Sequence, residues 1–501
     1  MGGMDGMDGM DGMGEMRSLA GMQRAVGCLV GAAVGDALGA PFEFGPAGRF
    51  SARFPQPVLG GVGELIGGGG FHWAPGEFTD DTQMAVIVAE SLLARSGIDR
   101  EHQFERFRVW ARTANDVGNL TREVLSSGLP AAEAAEAVVA RRGGRHTASN
   151  GSLMRVAPGA IHFSPAGRDA TIAAALELSG VTHADPLCRW AVAVAHEMIR
   201  VAIAGDDPLL AVPDLLALMP EPVREWYEPL LAPGWAPEHT DVGNGTAFVS
   251  LAQAVWALRR HESFEGAVTA VIDLGGDTDT VAAIAGAIAG ARAGIQRIPS
   301  RWQTYVHGRV PDAHGVDRHY DHRALQSLAM SLYGWPHPTE YADEPPLEPV
   351  EVVPGVWAAN RAGARTVLDD AVLGDAAGGD AAGGDAAGGE TAVVSLCRIP
   401  ADMRVPVRRE VFLIDRPGEH NPHLDWVVRD VLDTIDAFRA EGRRVLVHCH
   451  GGRSRTGLVL TAHLMRHGHS FHEAVALLEQ RWPHAHLRNE TFAHLVRDRV
   501  W

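Results

Sequence analysis

The pattern of apolar and polar positions divides the chain into a helical part and an α/β part. From Arg17 to about Tyr333, apolar residues recur at helical spacing in Ala-rich segments that are separated by loops rich in Gly and Pro. Strand-like alternation is scarce there, so the pattern predicts an all-α domain over residues 17–334. The periodicity is clearest in Ala131–Arg141, Ala170–Leu178, Leu187–Ala204 and Ala247–Arg260.

The pattern changes after residue 350. Short runs rich in β-branched residues alternate with helical stretches, which is typical of βαβ units that build a mainly parallel central sheet. The predicted strands are Val350–Trp357, Ala392–Cys397, Val411–Ile414 and Arg444–His448, and the predicted helices are Leu424–Arg439, Leu458–Met465 and Phe471–Gln480. We therefore predict an α/β domain over residues 350–501.

Three low-complexity segments lie outside this regular pattern. Residues 1–16 repeat Met, Asp and Gly, and such a segment buries too little apolar surface to become ordered, so we predict a disordered tail. Residues 335–349 are acidic and Pro-rich, which favours an extended linker. Residues 374–389 repeat Gly-Asp-Ala-Ala-Gly, and we predict a flexible surface insertion because loop closure becomes only slowly less favourable with length.

The composition narrows the possible functions. The 501 residues are 46% hydrophobic and 21% charged, an ordinary globular balance. The net charge of −18 disfavours a general nucleic-acid binder, because phosphate contacts require basic surface. All 44 basic residues are Arg, which excludes a Schiff-base lysine and the lysine of a Walker phosphate loop.

Cysteine usage and hydropathy indicate a cytoplasmic protein without a membrane span. No secretory leader pattern opens the chain, and the apolar run over residues 26–40 contains Asp36 and four glycines. The cysteines are widely spaced without a CxxC pair, which favours a reducing compartment. They are Cys28, Cys188, Cys397 and Cys449.

Two acidic stretches predict a metal site in the helical part. Gly275-Gly-Asp-Thr-Asp-Thr280 precedes the small apolar run 281–291, and Thr79-Asp-Asp-Thr82 opens the run Met84–Leu93. Brought together, they supply four carboxylates, which do not share a buried space without a cation. Mg²⁺ and Mn²⁺ prefer such oxygen ligands. Each stretch taken alone is also compatible with simple helix capping.

Six segments in this order resemble the ADP-ribosylglycohydrolase family, the enzymes related to dinitrogenase reductase-activating glycohydrolase. The resemblance spans the whole helical part. It implies an all-α fold, two Mg²⁺ or Mn²⁺ ions, and removal of ADP-ribose from arginine, serine or other acceptors. The segments are Gly31–Glu43, Pro75–Thr82, Asn115–Asn119, Asn150–Arg155, Thr182–His183 and Gly275–Thr280.

The resemblance also implies roles for individual residues. Metal ions would anchor the ribose hydroxyls and polarise a water during cleavage at C1″, where oxocarbenium character develops. The implied ligands are Thr79, Asp80, Asp81, Asp277, Asp279 and Thr280.

The other residues at family positions are expected to act on the ribose or the pyrophosphate. Asp116 is the general acid/base candidate, and Glu43 is expected to contact the ribose or a metal and to gate the site. The remaining substrate-binding candidates are Asn150, Gly151 and Ser152, whose backbone N–H groups near a predicted helix start suit pyrophosphate, and His183. Asp36 is expected to be structural.

A second motif, His448–Gly457, lies between a predicted strand and an apolar helix. It resembles the phosphate loop of the cysteine-dependent tyrosine and dual-specificity phosphatases, with the pattern HCxxGxxR[ST]G, and the resemblance covers about residues 350–501. Inward N–H groups, including those at Gly452 and Ser454, and a helix N-terminus would stabilise the thiolate of Cys449 as a nucleophile. Arg455 would hold two phosphate oxygens and Thr456 would assist the departing sulfur.

This phosphatase family also requires an aspartate upstream of the loop to protonate the leaving oxygen. Asp415 lies 34 residues before Cys449 at a predicted strand end, a spacing that suits the compact dual-specificity type. Asp425 is the alternative. No cofactor is expected in this domain.

Together the two resemblances predict a bifunctional hydrolase. One domain would remove ADP-ribose from a modified protein or small molecule, with arginine-linked protein favoured, and the other would hydrolyse phosphate monoesters of a protein or small molecule through phosphocysteine. No nucleic-acid or membrane partner is expected. The alternative is a regulatory protein that binds ADP-ribose or phosphate, with one domain catalytically idle. A substrate shared by both sites, such as a phosphorylated ADP-ribose, is a third possibility.

Overall fold

The computed structural model describes residues 17–143, 147–337, 342, 344–376, 389–400, 403 and 405–501. The predicted tail, most of the low-complexity insertion and part of the linker lie outside these residues. The described chain forms two compact units, one helical and one containing a five-stranded sheet. Two short segments of the N-terminal region, Pro57–Gly63 and Pro299–Thr304, group with the second unit.

The N-terminal region is built almost entirely of α-helices. Its helices are α1 (Leu19–Gly39), α2 (Arg49–Arg53), α3 (Asp80–Arg95), α4 (Arg100–Trp110), α5 (Asn119–Leu125), α6 (Ala131–Arg142), α7 (Ala157–Phe163), α8 (Arg168–Gly180), α9 (Pro186–Ala204), α10 (Ala211–Leu218), α11 (Glu221–Leu230), α12 (Ala247–Arg260), α13 (Phe264–Ile272), α14 (Thr278–Ala293), α15 (Ser300–Gln303) and α16 (His322–Tyr333). Of these, α15 belongs to a segment that groups with the second unit.

The helical unit departs from the all-α prediction in one place. Strands β1 (His307–Pro311) and β2 (Asp317–Asp321) form an antiparallel hairpin, which is closed by a turn at Asp312–Val316. The pattern missed it because β2 is mostly polar and exposed, so it carries no hydrophobic alternation.

Close packing of α1 on α14 organises the helical unit. Four glycines spaced one turn apart face α14, and a Cβ at any of them would lie 2.0–2.5 Å from a backbone atom of that helix. Only glycine permits this approach, so the spacing of small residues fixes how α14 lies on α1. The four are Gly27, Gly31, Gly35 and Gly39.

The same packing accounts for the apolar character of α1. The segment Leu19–Phe42 is long and apolar enough to cross a membrane, with a mean hydropathy of 1.5, yet its apolar window is entirely buried inside the protein. A core helix passes the same test of length and composition. The burial of α1 against α14 therefore explains its hydropathy without a membrane.

The second unit is an α/β domain. Its remaining elements are β3 (Val350–Val353), β4 (Val356–Asn360), α17 (Arg361–Ala376), β5 (Gly389–Ser395), β6 (Arg408–Glu410), α18 (Leu424–Ala440), β7 (Arg443–Cys449), α19 (Ser454–Arg466), α20 (Phe471–Arg481) and α21 (Glu490–Asp498). The strands are ordered β3-β4-β7-β5-β6. β3 pairs with β4 antiparallel, and the other three pairings are parallel. Cys449 ends the central strand β7.

Two strand predictions were wrong in detail. Val350–Trp357 is a hairpin of β3 and β4 rather than one strand, because Pro354 and Gly355 form its turn and Gly355 adopts a φ of 79°. Residues 411–414 are not a strand: β6 precedes them, and they form an irregular segment that leads to Asp415.

The end of the predicted linker packs on the second unit. The backbone N–H of Leu347 donates to Oδ1 of buried Asn360 at 3.0 Å, and Leu347 contacts the apolar core. Glu344 forms an ion pair with Arg453 at 2.7 Å. Glu344 and Leu347 are therefore attached to the α/β unit, so this end of the predicted linker is not a free spacer.

Candidate active sites

The two acidic stretches of the helical unit meet at the C-terminal end of α1. Buried Asp36 on α1 accepts hydrogen bonds from the backbone N–H groups of Thr79 and Thr82 at 3.0 and 3.1 Å, and from the Thr82 hydroxyl at 2.6 Å. These bonds hold the first turn of α3 against α1. At the next turn of α1, Gly39 lies against the start of α14, and its carbonyl accepts from the Thr278 hydroxyl at 2.8 Å. Asp36 thus has the structural position expected of it.

The side chains of the two stretches contact one another. Oδ2 of Asp81 accepts from the hydroxyl of Thr79 at 3.1 Å and from that of Thr280 at 3.4 Å. Asp81 therefore links α3 to α14, although 199 residues separate it from Thr280. Asp80, Asp81, Asp279 and both threonines are buried.

Glu43 joins the same cluster through a backbone bridge. The N–H of Phe44 donates to the carbonyl of Gly276 at 2.7 Å, and the N–H of Gly276 donates to the carbonyl of Gly45 at 2.9 Å. This bridge places Glu43 beside the second acidic stretch. Carboxylate oxygens of Glu43, Asp277 and Asp279 lie within 4.8 Å of one another.

The electrostatics of the cluster favour a bound cation. Burial, followed by the charges of neighbouring carboxylates, raises the pKa of Asp80, Asp81 and Asp279 well above the ordinary value. The same causes raise the pKa of Glu43 to about 8. Two buried oxygens, Oδ1 of Asp81 and Oε2 of Glu43, have no hydrogen-bond partner among the described residues. Because unpartnered buried carboxylates are unfavourable, an all-oxygen set of this kind fits a hard divalent cation.

Asp116 borders this cluster. It is half-buried in the loop before α5, and burial followed by the charge of Asp277 raises its pKa. It is thus near enough to the cluster to interact with it electrostatically. The structure therefore brings Asp116 and Glu43 to the same acidic region as the implied metal ligands.

Two asparagines position Asp277. Asn150 donates from Nδ2 to Oδ2 of Asp277 at 2.8 Å. Oδ1 of Asn244 accepts the backbone N–H of Asp277 at 3.0 Å, and its Nδ2 donates to the carbonyl of Gly275 at 3.0 Å. Sequence reasoning missed Asn244. Its only local signal is the glycine on either side of it, in the loop before α12.

The predicted pyrophosphate contacts are arranged differently from the expectation. Residues 151–155 form turns, and α7 begins only at Ala157, so Asn150–Ser152 does not open a helix. The Ser152 hydroxyl is hydrogen-bonded to that of Ser179 at 2.9 Å. The side chain of Ser152 is therefore engaged inside the protein.

His183 is likewise engaged internally. Its Nε2 lies 3.0 Å from the Ser149 hydroxyl and its Nδ1 lies 2.8 Å from the Thr182 hydroxyl. Burial, and then the charge of Arg155, lowers its pKa to about 3, so the ring is neutral. A Cβ on Gly151 would lie 2.9 Å from the His183 ring. His183 thus braces the 149–152 loop that carries Asn150.

In the second unit, the chain turns sharply between β7 and α19. Gly452 has a φ of 64°, and a Cβ there would lie 2.8 Å from the Ala359 carbonyl oxygen. The indole N–H of Trp482 donates to the Gly452 carbonyl at 2.7 Å. The turn between Cys449 and Ser454 is therefore fixed by its neighbours. Glycine is required at position 452 because the φ angle is positive and because a Cβ would collide with the Ala359 carbonyl.

Arg455 and Asp415 lie together beside this turn. Nη1 of Arg455 donates to the carbonyls of Leu396 and Leu413 at 3.0 and 3.3 Å, and its Nε lies 3.6 Å from Oδ2 of Asp415. The alternative, Asp425, instead pairs with Arg429 at 3.2 Å on α18. Asp415, unlike Asp425, therefore lies beside Arg455 at the loop.

The start of α19, next to this loop, contains buried hydroxyls that have no hydrogen-bond partner among the described residues. Oγ of Ser454 and Oγ1 of Thr456 are buried and unpartnered among the described residues. Cys449 is 2% exposed. His448 just before it is hydrogen-bonded through Nε2 to the Ser395 hydroxyl at 2.8 Å, and burial lowers its pKa to about 4. A neutral histidine thus anchors the end of β7, while two hydroxyls at the start of α19 lack a partner.

A helical unit with a buried carboxylate cluster, followed by an α/β unit with a cysteine loop before a helix, defines a two-domain hydrolase. The ADP-ribosylglycohydrolase family model matches residues 18–336, so the chain belongs to that family. The catalytic-domain model of the dual specificity phosphatases matches residues 401–498. The chain therefore carries two enzyme domains, as the sequence predicted.

Individual relatives resemble the helical unit. An ADP-ribosylarginine hydrolase of Pseudomonas putida is 30% identical over 294 residues, which is 56% of this chain and 73% of that protein. The ADP-ribosyl-[dinitrogen reductase] glycohydrolase of Rhodospirillum rubrum is 28% identical over 57% of this chain and 91% of its own length. A solved ADP-ribosylglycohydrolase-related protein complex is 31% identical, covers 63% of this chain and 98% of its own, and superposes with a TM-score of 0.50.

Proposed function

We propose that the helical unit releases ADP-ribose from a modified acceptor, with arginine-linked ADP-ribose on protein favoured. The observation that carries the proposal is the buried carboxylate cluster with two unpartnered oxygens, on Asp81 and Glu43. The preference for arginine is supported by the relative that is named an ADP-ribosylarginine hydrolase. ADP-ribosylated and phosphorylated compounds are the substrate classes that the two families imply.

Two divalent cations, Mg²⁺ or Mn²⁺, fit this cluster, and the family is generally metal-dependent. The residues that would hold them are Thr79, Asp80, Asp81, Asp277, Asp279 and Thr280. When bound, the ions supply positive charge that orients ribose hydroxyls and polarises a water.

The protein's own groups supply orientation and proton transfer. Asn150 and Asn244 fix Asp277, so that its carboxylate keeps one orientation. Asp116, on the border of the cluster, is the candidate that exchanges the proton between the water and the departing acceptor. Glu43 is held by the bridge to Gly276, and its position beside Asp277 suits a contact to the ribose or to a metal. The backbone N–H groups of Gly151 and Ser152 would receive the pyrophosphate, since that of Asn150 donates to the Gly245 carbonyl at 3.2 Å.

We propose that the second unit hydrolyses phosphate monoesters. The Cys449 sulfur attacks phosphorus, the bond from phosphorus to the ester oxygen breaks, and Asp415 gives its proton to that oxygen. Water then attacks the phosphocysteine with Asp415 as base, which releases phosphate and restores the thiolate. Arg455 and the backbone N–H groups near Gly452 would hold the phosphate oxygens. The Thr456 hydroxyl would bond to the departing sulfur and the Ser454 hydroxyl would bond within the loop; neither has a hydrogen-bond partner among the described residues.

The four cysteines support a cytoplasmic location as part of this proposal. All four are free thiols, and all are buried. Thiols that stay unpaired fit a reducing compartment.

Paired variants of the full chain test the two activities independently. Asp279→Ala should abolish ADP-ribose release from ADP-ribosylarginine protein and leave hydrolysis of an aryl phosphate intact. Cys449→Ser should do the reverse. A unit that shows no turnover in the unmodified chain, while it still binds ADP-ribose or phosphate in calorimetry, would instead support the regulatory alternative. A phosphorylated ADP-ribose as the only substrate for both sites would support a shared substrate.

A further inference from the structure

A second cluster of metal-ligating side chains lies between α18 and α19, apart from both sites described above. Asp436 is on α18, His463 is in the last turns of α19, and His467 follows the end of α19. Nε2 of His467 lies 3.0 Å from Oδ1 of Asp436, and Nδ1 of His463 lies 3.8 Å from the same oxygen. The three residues each offer a ligand atom, and these atoms lie within 4.8 Å of one another.

The ring nitrogens of His463 lack hydrogen-bond partners among the described residues. Its side chain is 1% exposed, and neither ring nitrogen has a hydrogen-bond partner among the described residues. Buried polar atoms are normally paired, because burial removes their bonds to water. A buried imidazole with two unpartnered nitrogens, one of them facing a carboxylate, requires a ligand from outside the chain or remains unfavourable.

The spacing of the ligand atoms suits a tetrahedral ion. Zn²⁺ binds nitrogen and carboxylate oxygen at about 2.0–2.2 Å, which places neighbouring ligand atoms about 3.3 Å apart in a tetrahedron. The two separations measured from Oδ1 of Asp436, 3.0 and 3.8 Å, lie on either side of that value. Two histidines four positions apart also present their rings on one helical face, a spacing that zinc sites on helices use.

The surrounding charges orient the carboxylate. Nη1 of Arg466 lies 3.2 Å from Oδ2 of Asp436 and 2.7 Å from Oδ1 of Asp433. Arg466 therefore occupies the far oxygen of Asp436 and leaves Oδ1 directed at the imidazoles, as outer contacts do in metal centres. Its positive charge opposes cation binding, and Asp433 offsets that charge.

We propose that Asp436, His463 and His467 bind a transition-metal ion of the Zn²⁺ class. Two imidazole nitrogens and one carboxylate select Zn²⁺ or Co²⁺ over Mg²⁺, unlike the oxygen-only cluster of the helical unit. The ion joins α18 to the C-terminal end of α19, the helix that begins at Ser454 and carries Arg455 and Thr456. His467 is 44% exposed, so the cluster is accessible to an ion from solvent.

Metal binding to the full chain tests the proposal. The Cys449→Ser background is used so that no thiolate of the phosphate loop binds metal. After chelation and dialysis, Co²⁺ is added in the presence of excess Mg²⁺, which occupies the oxygen sites. We expect the intense visible absorption of tetrahedral Co²⁺ at about one equivalent per chain, displaced by Zn²⁺ and not by further Mg²⁺. We also expect Zn²⁺ to raise the melting temperature of the α/β unit.

Single substitutions identify the ligands. His467→Gln and Asp436→Asn should each remove this absorption and the Zn²⁺-dependent rise in melting temperature. His469→Gln, a change of an exposed histidine two positions further on, should remove neither. The proposal is overturned if Co²⁺ gives no tetrahedral spectrum, if Mg²⁺ displaces it, or if the His467 and Asp436 variants bind as the parent does. Far-UV circular dichroism of the metal-free variants establishes that they are folded. Because His467 is exposed, its substitution should disturb the fold least.

Discussion

Substituting Gly35 by alanine should loosen the contact that positions the acidic cluster. A Cβ on Gly35 would lie 2.0 Å from the carbonyl oxygen of Ala282 on α14, whereas ordinary contact begins at 3.4 Å. The obstructing atom is backbone, so the two helices must separate by more than about 1 Å. Overpacking of this kind lowers the free energy of unfolding by about 1–3 kcal/mol, whereas the better helix propensity of alanine raises it by about 1 kcal/mol. Taking the upper end because backbone cannot move aside, we expect a net loss of about 2 kcal/mol.

The separation should also impair the site. One turn after Gly35, Gly39 lies directly against Thr278 and Asp279 at the start of α14. Displacement of catalytic groups by about 1 Å can lower the rate about 100-fold. We therefore expect the Gly35→Ala chain to lose ADP-ribose release by at least about 10-fold while it hydrolyses aryl phosphate normally.

Thermal unfolding and initial rates measure both effects. For a unit of this size, with an unfolding entropy of about 2.1 cal/mol/K per residue, about 2 kcal/mol corresponds to a fall in melting temperature of roughly 3 °C. The matched control is Gly180→Ala at the end of α8, where the three atoms nearest to the new Cβ all belong to the guanidinium of Arg189, the end of a flexible side chain. That variant should melt as the parent does or slightly above it. If Gly35→Ala melted like the control and kept full ADP-ribose release, the close approach of α1 and α14 would not be what positions the cluster.

Four further predictions address individual groups. Chelation by EDTA should abolish ADP-ribose release and lower the melting temperature of the helical unit, with recovery on adding Mg²⁺ or Mn²⁺, and Asp279→Ala should resist that recovery; full activity in metal-free protein would refute the metal site. Asn244→Ala should destabilise by about 1–3 kcal/mol in denaturant titrations and slow ADP-ribose release, because it unpairs a buried N–H and a carbonyl; unchanged stability and rate would show that the asparagine is dispensable. Cys449 should be alkylated by iodoacetamide at pH 6 and protected by vanadate in peptide mass spectra, whereas Cys397, whose pKa burial raises to about 12, should stay unmodified; equal labelling of both would contradict an activated thiolate. Asp415→Ala should slow hydrolysis most for alkyl phosphates and least for aryl phosphates, whose leaving oxygen needs little protonation; a uniform loss across leaving groups would argue against Asp415 as the acid.

Sequence periodicity predicted the elements wherever local pattern decides structure. The runs Met84–Leu93 and 281–291 lie within α3 and α14, and Leu424–Arg439 lies within α18. In each case the apolar spacing or the small-residue content reflects burial of the helix along its length. Short strands were less predictable. β-branched content at 411–414 did not produce a strand, because pairing in a sheet depends on distant neighbours rather than on composition.

Some residues of the two sites could be predicted from the sequence because they also form local patterns. The two acidic stretches are individually conspicuous, since closely spaced aspartates that open an apolar helix are unfavourable when buried without a ligand. The hydrogen bond from Thr280 to Asp81 that unites them spans 199 residues and leaves no local pattern. Asn244 supports the first site through two long-range hydrogen bonds and Trp482 supports the second through one, so only the folded chain identifies them.

The two sites hold opposite requirements within one chain. In the carboxylate cluster of the helical unit, one oxygen of Asp81 and one of Glu43 have no hydrogen-bond partner among the described residues, and positive charge would pair them. At the start of α19 the hydroxyls of Ser454 and Thr456, on either side of Arg455, also have none among those residues, and an oxyanion would accept hydrogen bonds from them. Leaving such groups unpaired lowers the stability of the free protein, and a ligand that pairs them recovers it. Mg²⁺ or Mn²⁺ should therefore stabilise the first unit and oxyanions the second, each with little effect on the other, because each arrangement is built for a charge that the chain itself does not supply.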